Sequence, residues 1–243
     1  MKKQKYPYKI IYPRRRPFFN TILSIGRAIK EEPLVINRNQ ILADQAIFIS
    51  NHSGASGPMN LALFFPSFFV PWGAHPMVGN YRSRWNYLYF VFYRQKLGYS
   101  KFRSFLIATL FGIISKRLYR GMDLIPTYED MRLKTTFRQS EHFINEHKPI
   151  LVFPEDSSNG YHDHILKYHE GFIAFAEHYY QKHQIDLPVY PIYFSKKLNI
   201  ILIDKPQYIQ PLKAEGLDRE RIAQHFKDHG NDLYQQVLKI AQE

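Results

Sequence analysis

Ile47-Phe-Ile-Ser-Asn-His-Ser-Gly-Ala-Ser-Gly-Pro58 is the stretch from which the rest of the chain is read. Ala46 to Ile49 has the composition of a short buried strand, and it runs into a polar, glycine-rich turn. Pro58 then suits the first turn of a helix that carries Met59, Leu61, Leu63 and Phe64. Open α/β sheets put their chemistry at the carboxyl ends of strands, so His52 is a candidate base, with Asn51 and Ser53 beside it as substrate-binding candidates. Ser56, in Gly54-Ala-Ser-Gly57, lacks the spacing of a nucleophile elbow and reads as a turn serine.

The same strand-then-polar-turn pattern recurs once. Ile150-Leu-Val-Phe-Pro154 reads as a fully buried strand, and Glu155, Asp156, Ser157, Ser158, Asn159 and Gly160 follow it. Two such turns predict that His52 and Glu155 meet at one edge of a sheet, with Asp156 and Ser157 close by. Around them, Leu34–Asn37, 189–194 and 199–203 read as strands. Helices are expected near 21–31, 103–118, 129–147, from Gly171 to His183, and from Asp218 onward. Strands alternating with helices predict one α/β domain over residues 34–243, with a mixed, partly parallel sheet flanked by helices. Residues 1–33 are expected to form a basic, aromatic N-terminal helical arm.

Charge is distributed unevenly. Residues 1–122 hold 19 Lys/Arg and 3 Asp/Glu, for +16, while residues 123–243 hold 14 and 18, for −4. From Gln45 to Met122 there is no carboxylate side chain, although Arg82, Arg84, Arg94, Lys96 and Arg120 all fall there. A cationic face of this kind suits anionic lipid, nucleic acid, or an acidic soluble partner such as an acyl carrier or a nucleotide-bearing thioester. In the arm, rings alternate with bases, as at a lipid headgroup interface; the plainer reading is a solvated basic arm, and no recognisable nucleic-acid module follows it. The aromatic run Trp85 to Tyr93 reads first as core, and its flanking cations raise the interfacial reading beside it.

Several classes are set aside. With no cysteine there is no disulfide framework, thiolate metal site or cysteine nucleophile, which suits a reducing compartment. No run reaches the roughly 18 apolar residues that span a bilayer. The N-terminal lysines are not followed by an apolar core and a small-residue cleavage site, so the chain is expected to stay where it is made. His162, Asp163 and His164 have the composition of a metal site, but loop histidines are common in a chain with 11 of them, and no metal is expected. His75 reads as a loop residue that a preceding strand brings toward His52.

Asn51-His52 before a helix, Gly121-Met-Asp-Leu-Ile125, Phe153-Pro-Glu155, Gly171 opening a helix and Pro188-Val-Tyr-Pro191 occur in the order of four sequence blocks. In this the chain resembles the glycerolipid, or lysophosphatidic-acid-type, acyltransferase superfamily, over roughly residues 35–205. The resemblance implies an O-acyltransferase of lipid metabolism, such as phospholipid biosynthesis. It would move a fatty acyl group from acyl-CoA or acyl carrier protein to a lipid-like hydroxyl or amine, with no cofactor beyond that co-substrate. It also implies His52 as general base, a membrane lipid surface as partner, no nucleic acid, and a cytoplasmic, peripheral location on the inner face of the membrane.

The chain departs from the pattern at three places. Gly57 stands where the HxxxxD motif has its aspartate, so Glu155 or Asp156 is expected to orient the histidine. The third block reads Phe153-Pro-Glu-Asp-Ser-Ser158 without the arginine associated with an acceptor phosphate, and the second ends Ile125-Pro-Thr127 without another. Either the acceptor is not a glycerol phosphate, or Arg82, Arg84 or Arg120 holds its phosphate. The alternative reading is a catalytically inactive relative that binds lipid or an acidic carrier.

Overall fold

The computed structural model describes residues 16–128, 130–158 and 160–242. The part of the basic arm before Arg16 lies outside them. Among the described residues, seven strands form one mixed sheet: β1 (Leu34–Asn37), β2 (Ile47–Ser50), β3 (Val70–Ala74), β4 (Ile125–Thr127), β5 (Ile150–Val152), β6 (Val189–Ser195) and β7 (Ile200–Ile203). Their order is β1-β7-β6-β2-β5-β3-β4, and every pairing is parallel except β6 with β7. The expected class, one α/β domain with a mixed, partly parallel sheet flanked by helices, is the observed one.

Among the described residues, eight α-helices accompany the sheet: α1 (Pro17–Ile29), α2 (Ser56–Phe64), α3 (Tyr81–Asn86), α4 (Lys101–Gly121), α5 (Leu133–Asn145), α6 (Gly171–His183), α7 (Ile209–Ala214) and α8 (Arg219–Ile240). β2 is central and buried along its whole length, and its side chains alternate between two cores, as expected of a strand covered on both faces. Ile47 and Ile49 join Val152, Phe172 and Phe226 on the face of α6 and α8, while Phe48 joins Leu61 and Phe19 on the face of α2 and α1.

Those two faces decide where a crevice opens. β2 and β5 are parallel neighbours, yet the helix after β2 packs on one side of the sheet and the helix after β5 on the other. Such a switch leaves a cleft at the carboxyl ends of the two strands. The His52 turn and the Glu155 turn are what the sequence puts there.

The structure changes the sequence reading at several elements. α1 starts at Pro17, earlier than the expected 21, because proline suits a first helical position. β4 and α7 are too short to show a periodic pattern. Between α3 and α4, Tyr87–Lys96 is a π-helix of 10 residues, a form that is rare and is met mostly as single turns at functional sites. No hydrophobic periodicity announces it.

Candidate functional site

The His52 turn is shaped by two consecutive residues in the left-handed region, Ser53 with φ 44° and Gly54 with φ 64°. Glycine reaches that region freely and serine at some cost, so Ser53 holds stored backbone strain next to the histidine. Asn51 anchors the turn from below. It is fully buried, its Nδ2 donates to the Phe194 carbonyl at 3.0 Å, and its Oδ1 accepts from the Phe194 amide at 2.8 Å. Expected to touch substrate, its amide is instead spent on tying β2 to the end of β6.

Glu155 does meet His52, though not at the ring. Its Oε2 accepts from the backbone N–H of His52 at 2.8 Å, and the backbone N–H of His162 also reaches the carboxylate. The expectation that Glu155 or Asp156 would orient the imidazole is therefore corrected. Asp156 accepts from both the amide and the hydroxyl of Ser158, at 3.0 and 2.5 Å, and closes its own loop instead. Burial raises the Glu155 carboxyl above the ordinary range, against the pull of those two N–H groups. The Ser158 bonds hold Asp156 below it.

The imidazole is oriented by a backbone carbonyl. Nδ1 lies 2.6 Å from the Gly54 oxygen, which can only accept, so Nδ1 carries the proton and Nε2 presents its lone pair. Nε2 has no hydrogen-bond partner among the described residues. The ring packs between Phe153, at 5.0 Å, and Tyr161, stacked at 4.6 Å. Burial, opposed by the Gly54 contact and assisted by the nearby Lys96 charge, lowers the His52 pKa to about 4. The imidazole is thus held neutral and in one tautomer.

Why no carboxylate stands at 57 is also visible. A Cβ placed on Gly57 would lie 2.2 Å from the backbone oxygen of His52 and 2.9 Å from its carbonyl carbon. α2 begins so close beneath the turn that only a hydrogen fits. The departure from the HxxxxD pattern is built into the backbone and not confined to one side chain.

Lys96 is the functional candidate that sequence reasoning missed. The π-helix ends on it, and its Nζ donates to the buried Ser157 hydroxyl at 2.6 Å and lies 6.0 Å above the Tyr161 ring. The Ser157 hydroxyl also bonds Tyr161, whose phenol burial pushes up. Ser157 thus joins the cluster as expected, and Lys96 and Tyr161 join it unannounced. The signal for Lys96 was present only as one base among several in the carboxylate-free stretch. For Tyr161 it was a ring inside the loop that had been read for metal.

The remaining candidates lie elsewhere. Arg82 is exposed on α3. Arg84 is buried and donates to the carbonyls of Gly79 and Gly112, at 2.5 and 3.2 Å, which fastens α3 to its neighbours. Arg120 lines a cavity of about 340 Å³ with Met77, Tyr119 and Phe143, which shares no residue with the His52 cluster. Gly171 opens α6 against Trp72. His75 stacks on Tyr128 rather than reaching His52. His162, Asp163 and His164 are exposed, and among the described residues no group of three metal-ligating side chains comes together.

Comparison with solved structures follows the same outline. The crystal structure of the 1-acyl-sn-glycerophosphate (LPA) acyltransferase PlsC from Thermotoga maritima superposes with a TM-score of 0.56, at 10% identity, over 90% of this chain and 79% of that one. This chain shares the fold of that protein. No family model matches the sequence, and none of the curated proteins compared with it does. In this fold the His52 and Glu155 turns lie together at the carboxyl ends of β2 and β5.

Proposed function

We propose that the chain is an acyltransferase that moves a fatty acyl group from an acyl thioester, of coenzyme A or acyl carrier protein, to the hydroxyl or amine of a lipid-like acceptor at the cytoplasmic surface of a membrane. The observation that carries this reading is the fixed tautomer of His52, with Nδ1–H on the Gly54 carbonyl and Nε2 without a described partner in the cleft of an acyltransferase fold. Nε2 takes the proton of the acceptor as its oxygen or nitrogen attacks the thioester carbonyl. A bond forms to that carbon, and the carbonyl oxygen becomes an oxyanion. Collapse breaks the carbon–sulfur bond, and the imidazolium returns its proton to the thiolate. No further cofactor enters the balance.

The electrostatics differ from a histidine–aspartate pair. An aspartate would stabilise the imidazolium, whereas here Lys96 opposes it and the base is weak but wholly in its neutral form at ordinary pH. The same cation favours negative charge, so its best use is on the oxyanion of the tetrahedral intermediate. Glu155 positions the loop that carries His52 and does not touch the ring. The missing block arginines, with Arg84 committed to carbonyls, favour an acceptor other than a glycerol phosphate.

A second reading is favoured by one observation, the closure of position 57 against any carboxylate: an acyltransferase-like protein that binds a lipid or an acidic carrier without turning it over. One experiment separates the two. Thiol release from acyl-CoA and acyl carrier protein is followed with a panel of lipid-like alcohols and amines, for the wild type and for His52→Ala with its fold checked by circular dichroism. The acyltransferase reading expects turnover that falls by about 10²–10⁴ in the variant. Equal turnover in a folded variant removes the base assignment, and a wild type silent across donors and acceptors supports the binding reading.

A further inference from the structure

α4 is built inside out. The side it turns to the protein is made of small residues, Ser104, Ala108, Gly112 and Ser115, all buried. The side it turns away carries Phe102, Phe105, Leu106, Leu110, Ile113 and Ile114, all exposed, with Phe102 at 78% and Ile113 at 65%. A helix on a water-facing surface has the opposite arrangement, with apolar side chains toward the core. Small inner residues let neighbours approach closely: a Cβ on Gly112 would lie 3.2 Å from the Tyr81 ring.

The stripe does not end with α4. Arg117 lies over the exposed Phe18 ring at 5.6 Å, and beyond Phe18 the outer side of α1 continues with Ile25 and Ile29, both exposed. Bases border this surface: Lys101 and Arg103 at the start of α4, Lys116 and Arg117 toward its end, all exposed. The Arg103 guanidinium stacks on the Tyr99 ring at 3.9 Å, which fixes that cation at the border of the surface. No carboxylate side chain occurs between positions 45 and 122 to offset them.

We infer that the outer face of α4, extended by α1, is the surface on which this protein docks to a bilayer bearing anionic headgroups. The apolar side chains enter the acyl boundary and the bordering cations meet lipid phosphate. The inference rests on the membrane component of the proposed function and adds the surface that provides it. α4 lies on the membrane and does not cross it, since among the described residues no helix is long and apolar enough to span. A second copy of the chain is a poorer occupant. A symmetric contact through α4 would bring Lys101, Arg103, Lys116 and Arg117 of both copies together with no acid on α4 to pair with them.

The test uses the whole chain and two kinds of extruded vesicle, phosphatidylcholine alone and phosphatidylcholine with phosphatidylglycerol. Sedimentation should carry the wild type down with the anionic vesicles, more weakly with the neutral ones, and less as salt rises. The triple variant Phe102→Ser, Leu110→Ser, Ile113→Ser changes only exposed side chains outside the catalytic cluster, and it should lose at least tenfold in vesicle affinity with an unchanged circular dichroism spectrum. Wild-type binding retained by the folded triple variant overturns the proposal. So does a wild-type dimer in light scattering that the triple variant converts to monomer, with neither protein binding vesicles. Because sedimentation needs no acyl donor, a failed docking surface and a failed acyl-transfer reading give separate signatures.

Discussion

At the His52 turn, polar groups are buried with their partners supplied: Asn51 on the Phe194 backbone, Glu155 on the His52 amide, Ser157 under Lys96. On α4, apolar groups stand exposed and small ones are buried. Both regions break the rule that apolar residues go inside, but in opposite directions and with different consequences. At the turn each buried polar group has little freedom to change, because removing a partner strands the other in a dry site. On the outer face of α4 most apolar side chains stand in the open, and the edge of Phe105 against Trp85 is a contact made at its margin. The contrast separates a site made by the fold from a surface the fold leaves open.

The largest expected effect tests the rigid side of that contrast. Gly57→Asp supplies the carboxylate that the HxxxxD pattern has, but its Cβ would meet the His52 oxygen at 2.2 Å, so the turn must move. A loss of about 3 kcal/mol or more is expected, at the upper end for overpacking, together with loss of any thioester turnover. Gly57→Ala should cost nearly as much, because the Cβ and not the charge is at fault. Urea denaturation of both variants checks this; a stable and more active Gly57→Asp protein would show that the backbone at the turn is not closed.

Next comes the titration of His52. Its pKa is about 4 in the folded chain against an ordinary 6.5, so the unfolded chain binds the proton first. That contribution to stability is present in full above pH 6.5 and is lost as pH falls toward 4, by about 3 kcal/mol over the window. Denaturant midpoints measured from pH 7 to 4.5 should therefore fall more steeply for the wild type than for His52→Gln. Lys96→Met should raise the His52 value, read from its imidazole proton resonances, while Lys96→Arg leaves it low. No movement in Lys96→Met would place the cation too far away to act on the ring or on an oxyanion.

Much of this was legible in the residues. Buried strands ending in polar turns gave the α/β class and the meeting of His52 with Glu155, because apolar runs and glycine-rich turns are local signals. The partner of the imidazole was not legible. A search for a carboxylate overlooks a backbone carbonyl two residues away, since Gly54 acts through its φ of 64° and not through its side chain. Lys96 was equally hidden, for its arrival depends on a π-helix that no periodicity reports. The split of the arginines was also beyond the sequence: Arg82 exposed, Arg84 spent on carbonyls and Arg120 in another cavity differ only in how three helices pack.

The smallest expected effects sharpen the contrast within one helix. Ala108 and Gly112 lie on the inner side of α4 and Leu110 on the outer, so neighbouring positions sit in opposite environments. Gly112→Leu should push against Tyr81, already 3.2 Å from the site of a Cβ, and cost about 2 kcal/mol despite the better helix propensity of leucine. Leu110→Ser, at a fully helical and exposed position, should stay within about 0.5 kcal/mol of the wild type in aqueous denaturation. If Leu110→Ser were instead the costly change, its side chain would be covered in the folded protein, and the outer face of α4 would be an interface between copies and not a surface left for lipid.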